Sequence, residues 1–149
     1  MAITQTMCTS FKKALLDGEM DFSANTNQSY KIALYTSSAD LGAATAVYTT
    51  ANEASGTNYE ASGTNYVPGG KDLVITAPTT SGTTALLTFG TVTWANVTVT
   101  ARGALIYQVG GTTPAVTVLD FGTDKQATAG SFAIQFPTAD ADNAIVRII

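Results

Sequence analysis

Two hydrophobic periods divide the chain. Near the start, Ile3, Met7, Phe11, Ala14 and Leu15 recur at three- and four-residue steps and predict one amphipathic helix over residues 4–17. Thr4 is its candidate N-cap. Lys12 and Lys13 stand toward its C-terminal end, and Gly18 can take the left-handed residue that closes it. Such a helix either covers an open end of a β-core or docks into a neighbouring subunit.

Beyond Gly18 the period becomes two. SYKIALYT (29–36) sets Tyr30, Ile32 and Leu34 against Lys31, Ala33 and Tyr35, the alternation of a strand with two unlike faces. KDLVITA (71–77), TALLTF (84–89), VTVTARGALIYQV (97–109), AVTVLDF (115–121), SFAIQF (131–136) and NAIVRII (143–149) read as further strands. The segments APTTSG, GGTTP, GTDKQATAG and PTADADN carry turn residues between them. Short strands at this spacing, with no room for crossover helices, predict an all-β fold. The architecture expected is an antiparallel β-sandwich, jelly-roll or Ig-like, with one short N-terminal α-helix, over a single domain 1–149. In the last segment Ile145, Arg147 and Ile149 point one way and Ala144, Val146 and Ile148 the other. It either pairs within the sheet or adds to a partner's sheet edge.

Residues 53–66 read EASGTNYEASGTNY, one heptapeptide written twice. Seven is odd, so a copy inserted inside a paired strand would turn every later side chain to the opposite face. Residues 50–70 are therefore expected to be an exposed loop, ended by Pro68, Gly69 and Gly70. Two heptads fall short of the period of a solenoid.

Composition narrows the functions. Charged residues make up 12% of the chain, and Thr, Ala, Gly and Ser are abundant, so solubility rests on hydroxyls and backbone. A net charge of -4, with seven Lys and Arg scattered along the chain, gives no basic stripe for nucleic acid. No run approaches the roughly 18 apolar residues of a membrane helix, and MAITQTMCTS lacks the pattern of a signal peptide. Synthesis and folding in a cytoplasm are expected.

Candidate chemistry is sparse. The chain has no histidine, the commonest general base, and one cysteine, Cys8, which reads as a buried thiol. LDFG (119–122) lacks every other kinase signature, and PGGK (68–71) lacks phosphate-loop spacing. Asp140, Asp142 and Asn143 offer oxygens that could hold Ca²⁺, without EF-hand spacing; a solvated turn is the plainer reading. Arg102, inside an apolar run, is either an outward residue or a buried fork for Asp120. No enzyme, cofactor or metal site is expected.

The segments MAITQTMCTSFKKALL, YKIALYTSSADLG, VTWANVTVTARGALIY, VLDFGTDK and FPTADADNAIVRII, with the YTTANEASGTNY stretch, cover nearly the whole chain. Together they resemble small structural proteins of tailed-bacteriophage virions. The family segment of this type carries its SGT-Tyr-Gly-Gly motif once, so the second heptad implies a loop duplication. The resemblance implies a capsid decoration or cement protein, assembled in the host cytoplasm. Its partners would be the major capsid protein or other virion proteins, and a homo-oligomer, guessed as a trimer, is expected. The docking residues expected are Met7, Phe11 and Leu15 on the helix and Tyr59 and Tyr66 in the loop. The alternative is a tail-associated or fibre protein with a receptor- or glycan-binding loop, where Trp94 or the tyrosines would stack on sugar.

Overall fold

A computed structural model describes residues 2–55, 57–58 and 66–149, with backbone alone at Thr57 and Asn58. The fold is all-β, and the described residues form two antiparallel sheets and one short helix. The larger sheet has the order β1 (Thr6–Met7), β8 (Ala115–Ile134), β7 (Val92–Gln108), β2 (Tyr30–Tyr35), β4 (Lys71–Leu73), with β3 (Thr57–Asn58) also paired to β7. The smaller has the order β5 (Ile75–Ser81), β6 (Thr84–Phe89), β9 (Val146–Ile148). Together they make the sandwich-like fold that the alternating pattern predicts.

β2 lies between β7 and β4 and is buried on both faces except at the half-buried Lys31, so it sits in the middle of the core. On one face Tyr30 stacks on Phe22 at 4.4 Å, and Phe22 meets the edge of Phe11 from helix α1 (Thr9–Asp17) at 5.8 Å. On the other, Lys31, Ala33 and Tyr35 alternate with that set, and Tyr107, opposite Lys31, stacks on Tyr48 at 4.5 Å. The helix thus covers one side of the large sheet and the segment around Tyr48 the other.

The helix is shorter than its apolar periodicity predicts. Thr6 and Met7 pair with Val118 and Thr117, and Thr4 donates its backbone N–H to Leu41, so the first turn is spent on strand pairing. Cys8, not Thr4, stands at the N-cap, without a side-chain bond. Gly18 closes the helix as expected, with φ +71° and its N–H directed at the Ala14 and Leu15 carbonyls.

One expected strand and two expected turns change character. KDLVITA breaks at Val74, where the chain leaves the large sheet for the small one. APTTSG is mostly strand, with the reversal at Gly82–Thr83. GTDKQATAG is not a turn, because β8 continues through it to Ile134. Between the pairs Ala101↔Lys125 and Gly103↔Asp120 the ladder shifts register, and this bulge accommodates the Gly and Asp that read as a turn.

Of the described residues within 50–70, Thr50, Ala51, Asn52, Ser55, Val67 and Pro68 are exposed as expected, but others are not. Ala54 and Tyr66 are buried, and Thr57 and Asn58 pair with Thr98 and Val97. β9 pairs with β6, so the final apolar segment is used within its own sheet.

Candidate functional site

The densest polar cluster lies on the Tyr35 face of the large sheet. The Glu53 carboxylate accepts the Tyr48 hydroxyl at 2.6 Å, the Gly69 backbone N–H at 2.7 Å and the Tyr66 hydroxyl. Tyr66 in turn accepts the Leu34 N–H at 3.0 Å. Tyr107 donates to the Gly69 carbonyl at 2.6 Å, and Tyr35 donates to the Thr49 carbonyl. Burial pushes the Tyr35, Tyr48 and Tyr66 hydroxyls well above their ordinary range, and the nearby Glu53 charge adds to it.

β4 pairs with β2 only from Tyr30 to Ile32, which leaves the backbone of β2 open beyond it. Ala54 donates to the Leu34 carbonyl at 2.8 Å, the Tyr66 hydroxyl takes the Leu34 N–H, and Thr36 donates to Asn52. Two loop segments therefore complete an unfinished strand edge, as buried backbone groups require. Glu53 is occupied by three donors, which suits an anchor.

The expected docking residues separate. Phe11 is fully buried and Tyr66 is 3% exposed, so neither presents a surface to a partner. Their bulk belongs to the core, which the periodicity of the helix already implied for Phe11. Met7 is half-buried in β1 against Thr117. Leu15 is half-buried and lines an apolar crevice of about 90 Å³ with Phe22, Pro78, Leu86 and Ile148. Tyr59 lies outside the described residues. The apolar residue the helix does expose is Leu16, at 90%. It stands off the three- and four-residue apolar rhythm, and that mismatch was the available signal. Trp94 is 1% exposed, against Tyr66 and Phe132, so it has no free face for a sugar ring.

The other polar groups that the sequence singles out are held in local hydrogen bonds and ion pairs. Asp140 accepts the Asp142 and Asn143 N–H groups at 2.9 and 2.8 Å and the Asn143 side-chain amide at 2.9 Å. These bonds, the Asn143 side chain foremost, hold its carboxyl below the usual range. Arg147 donates to the Ala141 and Asp142 carbonyls, so a positive charge lies close to this turn. Among the described residues no three His, Cys, Asp or Glu side chains converge as metal ligands. Cys8 is buried beside the Gly42 carbonyl, and burial pushes its thiol up to about 11, so it stays protonated at neutral pH. Arg102 is about one-third exposed, with Asp120 at 3.5 Å and Asp124 at 4.0 Å and its Nε buried, so it lies between the outward residue and the buried fork expected.

The surface carries a feature that the strand reading passed over. No charged residue occurs from Leu73 to Ala101, a run that includes β5, β6 and most of β7. Within it, Thr76, Ala77, Pro78, Thr79 and Thr80 are all exposed, so both faces of β5 are open. None of the described helices is long and apolar enough to cross a membrane. No protein-family model matches this chain, and no curated protein or solved structure matches it either.

Proposed function

We propose that this chain is a structural protein of a tailed-bacteriophage virion, a decoration or cement protein that binds the capsid shell through repeated subunit contacts. The observation that carries the reading is β5, a strand exposed on both faces and built from Thr, Ala and Pro inside a long uncharged run. A strand backed by its own core exposes only one face; an uncharged ribbon open on both sides is suited to lie against other protein. The resemblance of nearly the whole chain to virion proteins supports the same reading. Contacts of this kind are individually weak and gain strength through the number of copies on a shell.

The anchor then shifts from the expected residues. Leu16, Leu15 and the β5 ribbon offer apolar and hydroxyl surface, whereas Phe11 and Tyr66 serve the core. The partners proposed are the major capsid protein and further copies of this chain, with a trimer as the state to test.

Copy number in purified particles, measured by quantitative mass spectrometry against the major shell protein, tests the proposal. A ratio near one to one or one to three is the expected result. A few dozen copies or fewer would transfer the chain to the tail. Absence from particles would overturn the virion reading.

A further inference from the structure

The bond between Glu53 and Tyr66 joins the first residue of the first heptad to the last residue of the second. Each end is also held by contacts that do not involve the other. At the start, Ala54 donates to Leu34, Glu53 donates its N–H to Thr50, and Glu53 forms a β-bridge with Tyr35. At the end, Tyr66 accepts the Leu34 N–H and packs 5.9 Å from Trp94, and Gly70 follows against Ile32. The two ends of the duplicated segment thus meet at one buried anchor on β2.

Because the heptads are identical, any whole number of them places a Glu after Asn52 and a Tyr before Val67. Deleting either copy yields the same chain, with both anchor residues still in those positions. We infer that residues 53–66 are a length-adjustable cassette: the Glu–Tyr anchor lets the fold accept one, two or three heptads with the same core. Thr57 and Asn58 of the first heptad pair with Thr98 and Val97, and any whole number of heptads keeps both residues at those positions. For the length added beyond them, closing a loop costs free energy that grows only with the logarithm of its length, so copy number barely alters stability once the ends are fixed. An insertion of the same length with neither Glu first nor Tyr last would lack this property if it displaced either anchor residue. The inference is independent of the virion reading.

The test uses thermal unfolding of the full chain with one, two and three heptads. All three are expected to fold and to melt within about 3 °C of one another. Failure of the one- or three-heptad chain to fold, or a drop beyond about 10 °C, would overturn the inference. Tyrosine-to-phenylalanine changes then identify the anchor. In the two-heptad chain, Tyr66→Phe should lower the midpoint by about 3–9 °C, since it leaves the Leu34 N–H without an acceptor, whereas Tyr59→Phe should be silent. In the chain lacking residues 60–66, the same Tyr59→Phe should become as costly as Tyr66→Phe was. If Tyr59→Phe has the same effect in both chains, the anchor does not pass from copy to copy and the inference fails.

Discussion

The Cβ that Gly70 lacks would lie 1.8 Å from the carbonyl oxygen of Ile32. Here the chain leaves the anchored segment and begins β4, whose Lys71 pairs with Ile32, at φ +79° for Gly70. Backbone meets backbone, so no side chain can swing aside. Gly70→Ala is expected to cost about 3 kcal/mol or more, through strain and loss of β4 pairing. Gly82, also at positive φ but with open space around it, provides the control. Gly82→Ala should cost about 1–2 kcal/mol. Urea unfolding of the two variants checks the difference, and equal costs would refute the clash.

Helix α1 should show two unequal faces. Phe11, buried against Phe22, is expected to lose about 3–5 kcal/mol on truncation to Ala. Leu16→Ser should change stability by less than about 0.5 kcal/mol, because that side chain already faces solvent. If the shell-binding reading holds, Leu16→Asp should weaken attachment to stripped particles while the fold melts unchanged.

Alkaline pH should unfold the protein before it affects much else. Burial raises the Tyr30, Tyr35 and Tyr66 hydroxyls above the ordinary value of 10.0. Below pH 10 these hydroxyls are protonated both folded and unfolded, and their contribution is fully present. Above it the unfolded chain ionises first and binds fewer protons, so stability falls as pH rises toward the folded values. Without histidine, melting temperature should be nearly flat from about pH 6 to 8. Thermal scans with tyrosinate absorbance should show ionisation coinciding with unfolding; ionisation of all six tyrosines near pH 10 in the folded state would contradict it.

The Arg102 pair should matter little. Arg102 and Asp120 are each about one-third exposed, at 37% and 30%, and 3.5 Å apart. Solvent and salt screen such a contact, so Asp120→Asn is expected to cost less than about 1 kcal/mol. Chemical denaturation at low and high salt would reveal a larger role as a salt-dependent loss.

Much of the architecture was legible along the chain because local alternation is a local property. Tyr30, Ile32 and Leu34 announce β2, Leu86 and Leu87 lie in a recognisable β6, and Gly18 marks the end of the helix. An all-β fold with one helix follows from those periods and from the lack of room for crossovers. What pairs with what was not legible. The start of the helix yielded to β1 because Thr6 and Met7 meet β8 residues more than a hundred positions away. A glycine- and aspartate-rich stretch stayed in β8 because a bulge opposite Arg102 absorbed it. The heptads read as a loop, yet Tyr66 is buried because the backbone of Leu34, exposed where β4 ends, needed a partner. By itself the sequence determined the periods, the polarity and the sparse chemistry; only the tertiary structure decided which hydroxyls and apolar side chains the core required, since unsatisfied backbone groups arise only once strands have been brought together.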